Sequence, residues 1–102
     1  MQISSEFNRL YHGVFLMDIY KQMLAQKRII ITFEKFKDAL KYANKNYPRY
    51  NNTDDPVSTR DIRSADLVAH IDWIVRWAGE YGITPKIVED EWNRLLELAH
   101  ES

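Results

Sequence analysis

Residues 67–88, LVAHIDWIVRWAGEYGITPKIV, decide the fold, because they contain one complete helix end and the start of the next element. Apolar residues recur three and four positions apart along the first part, which is the spacing of one α-helical face. Gly82 then has the residue type that favours the left-handed position ending a helix. Thr84 and Pro85 are typical of a helix N-cap and first helical position. The stretch predicts two consecutive helices joined by a short turn.

Similar signals divide the preceding sequence. Ser4 is the predicted N-cap of a first helix, and Thr32 that of a second. Ile31 and Phe36 flank Thr32 in the arrangement of a hydrophobic staple, and Pro48 ends the second helix. Ser58 is the predicted cap of a third helix. We therefore predict a single all-α domain over residues 1–102, an antiparallel bundle or orthogonal array with helices at about 5–26, 33–47, 59–81 and 85–100.

Composition agrees with one small globular domain. The chain has 102 residues, of which 45% are hydrophobic and 28% charged, enough for one core. It contains no Cys, so neither disulfides nor thiolate metal sites can form. The N-terminal residues lack the basic start and apolar run of a secretion signal, and no apolar run reaches membrane-spanning length. We expect a cytoplasmic protein without a membrane segment.

The first predicted helix is unusually apolar. Its predicted core face follows the three-four spacing, and a second apolar set widens that face well beyond an ordinary amphipathic stripe. Such a helix is either central in its domain or covered by a partner, including a second copy of the chain in a homodimer. The predicted core face is Phe7, Leu10, Val14, Met17 and Leu24; the second set is Tyr11, Phe15, Leu16, Ile19 and Tyr20.

The third predicted helix has a face that is neither plainly core nor plainly solvent. Leu67, Ile71, Ile74, Val75 and Ala78 form its core side by helical spacing. Two tryptophans one turn apart lie with ionisable groups on a neighbouring shoulder: Asp66, His70, Trp73, Trp77 and Tyr81. Aromatic stripes usually belong to a core, but Trp and Tyr are also the favoured anchors of protein interfaces. The shoulder is the predicted partner-binding surface.

Charge is unevenly distributed along the chain. Residues 21–50 carry eight Lys or Arg and two acidic residues, whereas residues 51–102 carry five and eleven. Three lysines spaced four apart predict a polar stripe on the second helix, which is either a solvated face or a surface for phosphates. Basic and aromatic residues at the end of that helix could stack on bases. The candidate nucleic-acid-binding residues are Lys37, Lys41, Lys45, Tyr47, Arg49 and Tyr50.

Residues 78–88, AGEYGITPKIV, resemble the turn of helix-turn-helix DNA-binding proteins. In that family an Ala precedes a Gly-hydrophobic-Ser/Thr turn, and a Val or Ile packs the second helix. The resemblance implies two helices joined by a tight turn, the second of which would approach DNA. Here that helix begins with Glu89, Asp90 and Glu91, whose carboxylates would repel phosphates. Nucleic-acid binding is therefore assigned to the lysine stripe.

Catalytic patterns are not found in the sequence. There is no nucleophile elbow and no Gly-rich phosphate loop, and His12, His70 and His100 fall on three different predicted helices. We expect no metal, no cofactor and no small-molecule substrate. The predicted function is a non-enzymatic protein–protein interaction module: a small adaptor, accessory subunit or inhibitor, of the kind common in bacteria and their phages. The alternative is a nucleic-acid-binding protein.

Overall fold

The computed structural model describes residues 3–51 and 53–100 and confirms the predicted all-α fold. Helix α1 is continuous and has three parts: Ser5–Leu10, a π-helical turn at Tyr11–Leu16, and Met17–Ala25. Three further helices follow: α2 at Phe33–Ala43, α3 at Ser64–Glu80 and α4 at Glu89–His100. The described residues contain no strand, only an isolated antiparallel bridge between Arg49 and Pro56.

The buried face of α1 differs from the predicted one. Leu10, Val14 and Met17 are only partly buried and Leu24 is 39% exposed. Phe7 is buried as predicted, but the other buried residues of the helix come mostly from the set that was expected to widen the face. The helix buries Phe7, Tyr11, Phe15, Leu16, Ile19 and Met23, whereas Tyr20 of the second set is only partly buried. Most of these residues lie four positions apart, a spacing that drifts around a regular α-helix of 3.6 residues per turn. The π turn holds one more residue per turn and so corrects the drift.

The predicted helix caps of α1 and α2 are confirmed. The Ser4 hydroxyl accepts a hydrogen bond from the Phe7 N–H at 3.1 Å, and the Thr32 hydroxyl accepts one from the Lys35 N–H at 3.2 Å. Each cap satisfies an amide that has no partner within its helix. Phe36 is buried and Ile31 packs against the core, as the predicted staple requires.

The end of α3 is also as predicted. Gly82 has φ of 74°, its N–H donates to the Gly79 carbonyl, and the Ile83 N–H donates to the Ala78 carbonyl, both at 3.0 Å. These two bonds define a Schellman motif, in which a left-handed residue satisfies the last carbonyls of the helix. Ile83 is 1% exposed, so the motif also anchors the chain in the core after α3.

We expect Gly82→Ala to lower the free energy of unfolding by about 1–2 kcal/mol, because a Cβ is disfavoured in the left-handed region. An added Cβ would meet no atom within 4 Å, so the cost is one of backbone conformation alone. Gly79→Ala is the matched control, since it lies inside α3 with equally open space and should stabilise by up to about 1 kcal/mol. Urea denaturation of both variants checks this; equal effects would contradict it.

Helix α2 ends at Ala43, four residues before the predicted end at Tyr47. Asn44 leaves the helix with ψ of 100°, and its side-chain oxygen accepts a hydrogen bond from the Asn46 N–H at 3.1 Å. Tyr47 turns inward, where its hydroxyl donates to the Val57 carbonyl at 2.7 Å. The side chain of Asn44 thus offers the backbone an alternative to continuing the helix.

Helix α3 begins at Ser64, not near residue 59. Ser58 caps a single turn, in which its hydroxyl accepts from the Arg60 N–H at 3.2 Å and its carbonyl accepts from the Asp61 N–H at 2.9 Å. Ile62 is then buried at 1% exposure. The residues that the capping pattern predicts as the first helical turn instead form this single turn and the buried position at Ile62.

Helix α4 begins at Glu89, not at Pro85. Residues 84–88 are not helical and are hydrogen-bonded to α1: the Asp18 carboxylate accepts from the Lys86 N–H at 2.7 Å, and the Gln22 side-chain amide donates to the Thr84 carbonyl at 2.9 Å. The resemblance of residues 78–88 to a helix-turn-helix therefore holds for the helix end and fails for the helix start. The acidic residues 89–91 occupy the first turn of α4, where the helix dipole favours them.

Candidate functional surfaces

The predicted shoulder of α3 is a continuous row of rings, which we call the aromatic row: His70, Trp73, Trp77 and Tyr81. The His70 and Trp73 rings are nearly parallel, with centroids 6.0 Å apart. Trp73 and Trp77 are stacked at 6.2 Å, and Trp77 and Tyr81 are 5.1 Å apart with planes inclined by 59°. The row thus runs along one side of α3, from the core to the surface at the helix end.

The inner end of the row is not accessible. His70 is 1% exposed, so the prediction that it contacts a partner does not fit its position. The Tyr47 ring packs edge-on against it at 4.6 Å, and its Nδ1 lies 2.9 Å from the Asn44 side-chain amide nitrogen. His70 therefore joins α3 to the end of α2. Asp66, one turn earlier, is half-buried.

The hydrogen bonds around Asn44 define the state of His70. The Asn44 side-chain oxygen is engaged by the Asn46 N–H, so its amide nitrogen faces His70 and donates to Nδ1. The imidazole is consequently neutral, with its proton on Nε2. Burial lowers the pKa of His70 to about 3, and the positive charge of Lys41 lowers it further in the same direction.

The middle of the row is partly covered from within the chain. Phe36 of α2 lies 6.2 Å from the Trp77 ring, and both tryptophans pack against the core while keeping part of their surface open. Trp73 and Trp77 are thus neither fully core nor fully exposed. Covering what remains of each ring would require another molecule.

The outer end of the row is open. Tyr81 is 40% exposed, and the guanidinium carbon of Arg28 lies 5.6 Å from the centre of its ring. Ile30, two residues after Arg28, is 95% exposed, which is extreme for a large apolar side chain. Neither Arg28 nor Ile30 was predicted as a site residue. The isoleucine run at residues 29–31 contains the signal in the sequence, but only Ile31 enters the prediction, as part of the staple around Thr32.

The lysine stripe is not a uniformly solvated face. Lys41 is only 6% exposed, and its ammonium lies 5.6 Å from the centre of the Tyr47 ring. Lys37 forms a salt bridge with Glu34 at 2.9 Å, and its side chain is 19% exposed. Lys45 alone of the three is exposed. The three lysines therefore do not present one continuous row of charge to a nucleic-acid backbone.

The remaining candidates for nucleic-acid contact are engaged within the fold. Tyr47 is 2% exposed, whereas Tyr50 is 43% exposed and donates its hydroxyl to the Asp61 carboxylate at 3.1 Å. The Arg49 guanidinium carbon lies 5.4 Å from the centre of the Tyr42 ring. Stacking of bases at the end of α2 is thus restricted to Tyr50 and Tyr42. Nucleic-acid binding here stays a prediction.

Two concave surfaces were missed at the sequence level. One is an apolar groove of about 200 Å³ between α3 and α4, whose walls include Val68, Val75 and Leu96. The other is a polar cleft of about 790 Å³ where α1, α2 and the segment before α3 meet. The three-four spacing of Val68, Ile71 and Val75 could have indicated the groove. Nothing local could have indicated the cleft, because it is assembled from distant segments.

Comparison of the chain with family models, with curated proteins and with solved structures gives no match. Within residues 3–51 and 53–100, no three His, Asp or Glu side chains are grouped as metal ligands would be. Over the same residues, no helix combines the length and apolarity that crossing a bilayer requires.

Proposed function

We propose that this protein is a protein–protein interaction module that docks through the outer part of the aromatic row. The observation that carries the proposal is the alignment of Trp73, Trp77 and Tyr81 into one stacked surface that stays partly open. Stacked aromatic rings present large apolar area with little conformational freedom left to lose, which suits a binding anchor. An adaptor, accessory subunit or inhibitor acting in the cytoplasm needs no more chemistry than this.

The chemistry of the surface specifies a kind of partner. Arg28 extends over Tyr81 and keeps its charge exposed, with its Nε donating to the Gln26 side chain at 3.0 Å. A partner segment with an apolar side chain for the tryptophans and a carboxylate for Arg28 would complement both features. The exposed Ile30 supplies further apolar area on the same connecting segment as Arg28. We therefore expect an acidic, apolar protein segment as the partner.

The chain offers a matched control for this proposal. Tyr42 is 55% exposed with the Arg49 guanidinium carbon 5.4 Å from its ring centre, an arrangement close to that of Tyr81 and Arg28. The difference is that Tyr81 continues the row of tryptophans. A photo-crosslinking amino acid at position 81 or 42, followed by mass spectrometry, would identify which proteins contact each tyrosine.

We expect crosslinking from position 81 to a defined partner, and at least about tenfold weaker binding of that partner by Tyr81→Ala, since interface anchors contribute this much or more. Tyr42→Ala should leave the affinity unchanged. Sedimentation of the purified chain tests whether the partner is a second copy. Equal losses in both variants, or crosslinking from position 42 alone, would contradict docking through the aromatic row.

A further inference from the structure

The polar cleft between α1, α2 and the segment before α3 has an uneven distribution of charge. Its rim carries three exposed carboxylates, of which Glu34 pairs with Lys37 and Asp61 accepts a hydrogen bond from Tyr50. Its more buried wall carries cationic and polar groups instead. That wall comprises Lys37, Lys41, His12 and Thr59, and the cleft has a volume of about 790 Å³.

Lys41 is the unusual member of this wall. It is 94% buried, and among the described residues it forms no salt bridge, although Lys37 one turn earlier has Glu34 at 2.9 Å. The Tyr47 ring centre lies 5.6 Å from its ammonium, and the carboxylates of Asp38 and Glu34 attract its charge only from beyond salt-bridge distance. Burying an ammonium without a counter-ion is costly, and a folded protein normally supplies a carboxylate or another anion. The position of Lys41 therefore leaves room for an anion from outside the chain.

His12 adds a second incompletely bonded group. Its Nδ1 donates to the Asn8 carbonyl at 3.0 Å, because a carbonyl can only accept. Its Nε2 is buried and has no hydrogen-bond partner among the described residues. Burial is the main cause that lowers the pKa of His12, and Lys37 and Lys41 lower it while Glu34 raises it. The pKa of His12 therefore depends on the charges in the cleft.

The segment before α3 supplies the opposite wall. Thr59 is 6% exposed and Arg60 is exposed, and both line the cleft. Cationic side chains and hydroxyl groups, such as Arg60 at the entrance and the buried Thr59 and Lys41, are the groups that hold oxyanions in proteins. The carboxylates of Glu34, Asp38 and Asp61 lie at the exposed rim, where water screens them.

We propose that the cleft binds a small molecule through an oxyanion end group, a phosphate or a carboxylate, which pairs with Lys41. Arg60 contributes positive charge at the entrance of the cleft. His12 lies beside the bound anion, which favours protonation of the imidazole. This binding site is separate from the aromatic row and does not depend on the docking function proposed above.

The test is a titration of the intact chain with inorganic phosphate and, in a second arm, with acetate, at ionic strength held constant with chloride. The histidine ring signals are followed by NMR. We expect saturable shifts at His12 and a raised pKa of His12 at saturation, because an added negative charge favours its protonated form. The anion that saturates at the lower concentration identifies the preferred end group.

Lys41→Gln should weaken binding by at least about tenfold, since it removes a charge-assisted contact. Lys45→Gln is the matched control: it removes the same charge one turn later, from an exposed position outside the cleft, and should leave binding unchanged. Chemical footprinting of the lysine amines tests the same contact in the wild-type chain, without any substitution. An amine-acylating reagent should modify Lys41 more slowly when phosphate is present, and Lys45 at an unchanged rate.

Three results would overturn the proposal. One is a linear response that never saturates, and another is an equal effect of Lys41→Gln and Lys45→Gln. The third is binding of a single-stranded oligonucleotide that saturating phosphate and acetate do not displace. If Lys41→Gln does not fold, the footprint decides: equal protection of Lys41 and Lys45, or protection of neither, would equally overturn it.

Discussion

Deletion of Gly13 is expected to leave the four-helix fold intact, whereas deletion of Arg76 is expected to unfold it. Gly13 lies in the π turn of α1, and Arg76 lies in the regular middle of α3. Both residues are exposed, and nothing lies within 4 Å of where a Gly13 side chain would begin. Each deletion removes one exposed helical residue, the first from a π turn and the second from a regular α-helix. Arg76 also forms a salt bridge with Asp72 at 3.0 Å, which a substitution control separates from the change of register.

The reason for the difference is helical register. In a regular α-helix with about 100° per residue, Phe7 and Met23 would point about 160° apart, because sixteen residues separate them. Both are nevertheless in the core, at 0% and 2% exposure. The π turn absorbs one residue, which reduces the angle by about 100°. Deleting Gly13 would remove that extra residue and let a regular α-helix keep both halves of α1 on the core side.

Deleting Arg76 has the opposite consequence. It would rotate Trp77, Ala78 and all that follows by about 100° relative to Leu67 and Ile74, which are both 0% exposed. The loss would approach the whole stability of a domain of this kind, about 5–15 kcal/mol. Removing Gly13 should change stability by less than about 2 kcal/mol, since a helical glycine is itself unfavourable.

Circular dichroism and urea denaturation of the two deletion variants measure these effects. Substituting Gly13→Ala and Arg76→Ala, without deletion, controls for the loss of each side chain. An unfolded Gly13 deletion would show that the π turn does not set the register of α1, and a folded Arg76 deletion would show that a regular helix of this fold tolerates the same change of register.

The π turn also explains which part of the fold the sequence could not predict. Helix existence and caps are local properties, so Ser4, Thr32 and Gly82 were identified from their own neighbours. The buried face of α1 was not, because the pattern was projected onto a helix of constant pitch. A one-residue change in winding exchanges the core face for its neighbour. Nothing in Tyr11–Leu16 alone indicates that the winding changes there.

The predicted start of α4 was wrong for a different reason. Thr84-Pro85 is a good local helix start, yet residues 84–88 are not helical, and two of them are hydrogen-bonded to Asp18 and Gln22 of α1. Those contacts join residues more than sixty positions apart, and a local pattern contains no information about them. Tertiary hydrogen bonds here override the local preference of the chain.

The candidate surfaces also have some features that follow from local sequence and others that depend on tertiary contacts. The stacking of Trp73 on Trp77 follows from their four-residue spacing, which places them on one side of a helix. The burial of Lys41 does not follow from its spacing to Lys37 and Lys45. It depends on Tyr47, whose ring centre lies 5.6 Å from the Lys41 ammonium, and on the segment before α3, which forms the facing wall of the cleft. Two lysines of the predicted polar stripe, Lys37 and Lys41, therefore line the cleft, whereas Lys45 lies outside it.

The second large effect is expected on acidification. At pH 5 the chain should be less stable than at pH 7.5 by about 2 kcal/mol because of His70 alone, at about 1.36 kcal/mol per unit of pKa. The folded pKa of His70 is about 3, and the unfolded value is 6.5. Between these values the unfolded chain binds a proton that the folded chain does not, so stability falls as pH falls below 6.5. The lowered pKa of His12 acts in the same direction.

The cause is the geometry around one ring. To become protonated in place, His70 would carry a proton on Nδ1, where the Asn44 amide already donates at 2.9 Å. Asn44 cannot turn its amide without losing the bond from the Asn46 N–H to its oxygen at 3.1 Å. The Tyr47 and Trp73 rings around His70 offer no anion to the new charge. Between pH 6.5 and about 3, His70 therefore accepts a proton mainly when the chain unfolds.

Urea denaturation at pH 7.5, 6 and 5 tests this, with His70→Gln as the informative variant and His100→Gln, at an exposed helix end, as the control. His70→Gln should start from lower stability, since it disturbs a packed site, but lose about 2 kcal/mol less between pH 7.5 and 5. Parallel losses in the wild-type protein and His70→Gln would mean that His70 is protonated in the folded state. Such a result would mean that the side-chain oxygen of Asn44, and not its nitrogen, faces Nδ1 of His70. The ring that joins α3 to the end of α2 would then not be neutral.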